Sequence, residues 1–134
     1  MRLLLLFAIA LAGLIPGCAL RQYDRNALSA DGEAKIDKKL PAAQGRREAI
    51  QLAELKARDQ LMKDILNKTM SDGRTVEAAA VKDAYVQAVI QDFVRASHEM
   101  PQSREVSEDK IKLTMYMDAA TVNDFLRDYP KKIR

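Results

Sequence analysis

One cysteine, one histidine and no tryptophan occur in 134 residues, and each scarcity removes a class of function. A single cysteine closes no disulfide, so the fold must stand on its core rather than on staples. With a single histidine, His98, a His-based zinc site or a Ser-His-Asp set would rest on one residue. His98 falls in a polar stretch of expected strand and reads as an ordinary exposed or edge residue. The five glycines form no phosphate-cradling loop, and Asp72-Gly73-Arg74 reads as a turn. Aromatics are 5% of the chain and the formal charge is only +3, which offers no nucleic-acid footprint. Glu48, Glu54 and Asp59 would suggest acid–base chemistry only if they met in a cleft; their spacing reads as solvated helix positions. Asn67-Lys68-Thr69 matches a glycosylation sequon, which a bacterial lipoprotein would rarely use. No catalytic residue, metal site or cofactor is expected, and the chain does not read as an enzyme.

Long apolar runs are also missing, except at the start. Met1-Arg2 is followed by Leu3 to Ile15, all apolar or glycine and uncharged. As a helix this run reaches about 20 Å, short of a hydrocarbon core about 30 Å thick. A positive start followed by an apolar segment of this length reads as a secretory signal. The run ends in Leu14-Ile15-Pro16-Gly17-Cys18, similar to a bacterial lipobox with an aliphatic residue three before the cysteine and a small residue just before it. Pro16 departs from the small or β-branched residues usual at its position. Such a signal is cut so that Cys18 begins the mature chain, acylated on its thiol. Two alternatives stay open: an ordinary signal cut after Ala19, and a reduced buried thiol in a cytoplasmic protein. Ala19, in place of the aspartate that retains such proteins in the inner membrane, directs a lipoprotein to the outer membrane by analogy. The expected organisation is residues 1–17 as signal, 18–26 as lipidated tether and 27–134 as one domain. Loss of Arg2 lowers the formal charge to +2.

Within the domain, Ala27 to Asp37 carries a weak strand pattern with a bulge or turn at Gly32. A connection containing Pro41 follows, then a helix from Gly45 to Asn67. Ile50, Ala53, Ala57, Leu61 and Ile65 form one apolar stripe on it; Leu52, Leu55, Met62 and Leu66 form a second on roughly the opposite side. A helix apolar on two sides is expected between a sheet and another helix or a partner, and Ala49, Ala53 and Ala57 would allow close approach to the sheet. Ser71-Asp72-Gly73 is a turn. Thr75 to Ala96 is helical, with Val81, Tyr85, Val89, Phe93 and Ala96 as its stripe and Val86, Ile90 and Val94 widening it; Val76 fits a short strand or the helix start. Lys110 to Asp118 alternates strictly, with Ile111, Leu113, Met115 and Met117 on the buried side, the habit of an antiparallel sheet. Ser107-Glu108-Asp109 turns into it from a hairpin partner between Ser97 and Val106, which Pro101 confines to an edge or bulge. Asp118 or Thr121 caps a last helix carrying Val122, Phe125, Leu126 and Tyr129, which Pro130 ends. The basic tail, Lys131 to Arg134, reads as a solvated terminus or as a contact for phospholipid head groups or an acidic partner. The fold class is α+β: a small antiparallel sheet of three or four strands with two or three helices on one face.

In this order the elements resemble the LPP-twenty lipoproteins and their flagellar outer-membrane relatives. The likeness lies in Ile15-Pro16-Gly17-Cys18, "ADGEAKI", "REAIQLAELKARDQLMKDI", "KIKLTMYMD" and "AATVNDFL". It implies a non-catalytic outer-membrane lipoprotein facing the periplasm or exposed at the cell surface, a structural or assembly component of the cell envelope. It implies lipidation at Cys18 and, in some members, assembly around a flagellar basal body. The expected partners are the membrane, through acylated Cys18, and a second copy or another envelope protein; nucleic acid is not among them. The rival reading is a monomeric periplasmic binding or adaptor module that recruits an envelope enzyme, peptidoglycan or a small ligand.

Overall fold

The computed structural model describes residues 27–132; the signal, the tether, Cys18 and the last two residues lie outside that range. The fold is α+β, as the sequence implies: strand β1 (Ala27–Lys35), helices α1 (Ala42–Leu66), α2 (Val76–Lys82) and α3 (Ala84–Arg95), strands β2 (His98–Glu99), β3 (Glu105–Val106) and β4 (Lys110–Asp118), and helix α4 (Ala119–Lys132). The sheet is antiparallel, with β4 between β1 on one side and β2 and β3 on the other.

β4 forms as its alternation demands. Ile111, Leu113, Met115 and Met117 are buried, and the opposite face carries cross-strand ion pairs, Lys112 to Asp31 at 3.2 Å and Lys110 to Glu33 at 3.1 Å. Thr114 donates its hydroxyl to Asp31 at 2.7 Å. That bond, ahead of the Lys112 charge, holds the Asp31 carboxyl below its ordinary range.

β1 corrects the first expectation. No bulge or turn occurs at Gly32: the register runs unbroken from Ala27↔Asp118 to Lys35↔Lys110, with Gly32 opposite Leu113. Glycine is there because α1 lies directly on it. A Cβ at Gly32 would stand 1.8 Å from the Ala53 carbonyl oxygen and 2.9 Å from the Ala57 nitrogen. The buried line of α1 is Gly45, Ala49, Ala53, Ala57, Leu61 and Ile65. These residues recur every four, one of the ridges helices use for packing. Small residues fill its first half and large ones its second, so the helix touches the strand with its backbone at one end and stands off at the other. It begins at Ala42, three residues before the expected start, because Pro41 suits the edge of a helix.

The predicted helix over 75–96 is two helices, which makes four among the described residues. The buried positions Val76, Ala79, Val86, Ile90 and Val94 follow a helical stripe whose missing member is Asp83. A carboxylate on a buried stripe needs hydrogen bonds. Asp83 leaves helical geometry, with φ −136° and ψ 108°, and caps α3 by accepting from the Tyr85 N–H at 2.8 Å. Its second oxygen accepts from the Tyr129 hydroxyl on α4. The stripe through Val81 and Tyr85 was misplaced: these two are exposed, Val89 and Phe93 half-buried and Ala96 exposed, while the Val86 line faces the core. Val76 starts α2, capped by the Thr75 hydroxyl.

The hairpin partner is broken as Pro101 requires. β2 and β3 are two residues each, and Gln102 between them has a φ of 61°. The Ser103 hydroxyl replaces the missing strand there, accepting from the Thr114 N–H at 3.1 Å, and Arg104 pairs with Glu99 across the loop at 2.9 Å.

Pro130 does not end the last helix. Asp118 caps α4 through the Ala120 N–H, and the helix continues to Lys132. Proline lacks the N–H that would bond the carbonyl four residues back, here that of Leu126. The Ser71 N–H takes that carbonyl at 3.2 Å, and the Ser71 hydroxyl bonds the Arg127 carbonyl at 2.9 Å. The turn before α2 thus mends the gap.

Gly32→Ala is expected to lower stability by about 3 kcal/mol or prevent folding, since its methyl meets backbone rather than a flexible side chain; urea unfolding measures it. The Asp83 bond raises the Tyr129 pKa above its ordinary value of 10.0, and the Tyr129 hydroxyl, first among its partners, lowers that of Asp83 below 3.8. The stability from Tyr129 is therefore complete below the ordinary tyrosine pKa and lost as pH rises through the raised one. That from Asp83 is present above the ordinary carboxyl pKa and lost as pH falls through the depressed one. Tyr129→Phe should flatten the alkaline limb of a melting-temperature-against-pH curve and shrink the acid one.

Candidate functional site

The expected lipidation residue, Cys18, lies outside the described residues, as does the whole lipobox. The other residues singled out from the sequence do not converge. His98 sits on the edge strand β2, exposed, its ring 6.5 Å from that of Tyr116. Glu48 accepts from Gln44 at 2.9 Å, and Glu54 pairs with Arg58 at 3.6 Å, each within its own helix. Among the described residues no group of three His, Cys, Asp or Glu side chains is placed to hold a metal ion. No described helix is long and apolar enough to cross a membrane.

The geometry instead offers the outer side of α1. The second apolar stripe divides there. Met62 and Leu66 are half-buried against α2 and α3, whereas Leu52 and Leu55 stay 45% and 55% exposed. Met62 and Leu66 form one wall of a shallow groove of about 390 Å³; Ala80, Val81 and Ile90 form the other, with Glu77, Gln87 and Gln91 at its rim. Val81 projects from it, 83% exposed. Apolar side chains standing in water along one helix and beside a groove are the usual mark of a surface that another molecule covers. Its lining is aliphatic, with one carboxylate, Glu77, and two amides, Gln87 and Gln91, at the rim.

The sheet edges are less available. Lys56 reaches from α1 over β1 to donate to the Glu33 carbonyl at 2.9 Å, and the broken β2–β3 side offers no long strand to pair with. The sequence identified the double stripe but not its division. That division follows from Met62 and Leu66 facing Ala80 and Val81 of α2 and Ile90 of α3, a packing that the stripe alone does not reveal.

If Leu55 serves a partner rather than the core, Leu55→Gln should shift the unfolding free energy by less than about 0.5 kcal/mol. Leu61→Ala, on the fully buried line of the same helix, should cost about 2–5 kcal/mol. Paired urea titrations separate the two. Comparison of the chain with protein-family models and with curated proteins returns no match to either.

Proposed function

We propose that this chain is a non-catalytic outer-membrane lipoprotein, anchored through acylated Cys18 and acting as a structural or assembly component of the cell envelope. The observation that carries this reading is the sole cysteine, Cys18, standing three residues past the apolar run from Leu3 to Ile15, after Pro16-Gly17. Acyl chains add about 0.8 kcal/mol per buried methylene, one chain holds marginally, and more than one holds durably. The three chains of a bacterial lipoprotein cysteine belong to the durable class. The half-covered outer side of α1 supports an assembly role, because Leu52, Leu55 and Val81 supply apolar surface for a second copy or another envelope protein. The resemblance to the LPP-twenty lipoproteins points the same way, with a flagellar basal body as one setting.

The test is metabolic labelling with a palmitate analogue of the full-length protein and of Cys18→Ser in a Gram-negative host, followed by membrane separation. Label and outer-membrane recovery are both expected in the first and absent from the second. Equal solubility without label in either form would overturn the anchor and leave a free periplasmic domain.

A further inference from the structure

The chain has four tyrosines and three phenylalanines, and four of these rings meet where α3 crosses α4. Phe93 packs edge-on to Phe125 at 5.8 Å, Phe125 lies 5.3 Å from Tyr129, and Tyr129 stacks on Tyr85 at 5.9 Å and 26°. Tyr129 is buried, Phe93 and Phe125 are half-buried, and Tyr85 is 61% exposed. Tyr85, Phe125 and Tyr129 line an open cleft of about 340 Å³, whose rim is Asp124, Asp128 and Lys132. That volume is within the ordinary range for small-ligand sites.

Two features distinguish this cleft from a frayed core edge. The first is preorganisation. Asp83 accepts from the Tyr85 backbone N–H with one oxygen and from the Tyr129 hydroxyl with the other, so one carboxylate caps α3 at Tyr85 and holds the Tyr129 ring on which Tyr85 stacks. Rings held before binding lose little freedom when a ligand arrives. The second is charge. Asp124 and Asp128 each pair with Arg127 at 2.9 Å, and Lys131 adds a contact to Asp128 at 3.7 Å. The rim therefore sets two carboxylates, Asp124 and Asp128, among three cations, Arg127, Lys131 and Lys132, so neither sign stands alone. It keeps both kinds of hydrogen-bonding group, because a paired carboxylate retains accepting lone pairs and the Lys132 ammonium donates.

A neutral ligand with an apolar face and a polar circumference matches such a site. A pyranose has that shape: its axial C–H bonds lie against the negative face of an aromatic ring, and its hydroxyls both donate and accept around the edge. We infer that the Tyr85–Phe125–Tyr129 cleft binds a saccharide, with the sugar ring stacked on Tyr85 and its hydroxyls bonded to Asp128, Asp124 and Lys132. The site rests on the domain alone and holds whether or not Cys18 is acylated.

The test is an NMR titration of the full-length protein in detergent with N-acetylglucosamine trimer, maltotriose and tetramethylammonium, following the aromatic ring protons. At least one trisaccharide should give saturable shifts at Tyr85, Phe125 and Tyr129 below about 10 mM, with tetramethylammonium weaker. Tyr85→Ala should weaken binding at least about tenfold, with changes in the free spectrum confined to its ring neighbours Phe125 and Tyr129 and the adjoining residues, since the side chain is mostly exposed. Tyr85→Phe should retain it, and Lys132→Ala should weaken it about threefold to tenfold. Preference for tetramethylammonium, sugar shifts away from these rings, indifference to Tyr85→Ala, or no response to either sugar by 20 mM would each overturn the proposal.

Discussion

The constraint on which the rest depends is backbone against backbone: Gly32 of β1 lies beneath Ala53 and Ala57 of α1, with no room for a side chain between them. With no side chain between them, the helix settles lower over this strand than interdigitating side chains would permit. Much follows from that height. The first half of α1 must be glycine and alanine where it meets the sheet, and Leu61 and Ile65 can fill the wedge only as the helix rises away. At the opening of the same helix, a Cβ on Gly45 would stand 2.7 Å from the Asp37 carbonyl oxygen, so the connection from β1 is under the same constraint. The alternating face of β4 then completes a core that needs no disulfide.

Around that contact, the irregular features share a logic. Each is a residue that breaks regular structure, placed where another part of the chain supplies what it lacks. Asp83 interrupts a buried helical stripe and receives the Tyr129 hydroxyl. Pro130 removes a helical donor, and the Ser71 N–H replaces it. Pro101 opens the edge of the sheet, and Ser103 serves the exposed backbone of Thr114. Two of the three repairs tie α4 to the segments around α2. They position the last helix by hydrogen bonds as well as by its apolar face, and they hold the ring cluster in place.

The outer side of α1 and the seam of α3 with α4 differ in character. One is aliphatic and shallow; the other is aromatic and rimmed by carboxylates and an ammonium group. On the proposed reading of a lipid-anchored envelope protein, the first would join its neighbours and the second would touch the glycans around it.

Period-two alternation was enough to place β4 to the residue, because a half-buried strand records its two environments in every other position. The inward line of α1 was equally legible, as was the turn at Ser71-Asp72-Gly73. The misreadings share a cause. Gly32 suggests a bulge by composition, Thr75 to Ala96 reads as one helix straight through Asp83, and Pro130 suggests a stop; each is a local inference from residue preference or pattern. The structure overrules all three through partners 21 to 59 residues away: Ala53 for Gly32, Tyr129 for Asp83 and Ser71 for Pro130. The gathering of Tyr85, Phe125 and Tyr129 was invisible for the same reason, since no spacing along the chain relates α3 to α4. The sequence by itself determined the α+β class, the central strand and the inward face of the first helix, because burial writes a period into the residues that undergo it. Only tertiary structure decided which rule-breaking residues were satisfied and which surfaces were left uncovered, because a hydrogen bond or a ring contact between distant segments leaves no period to read.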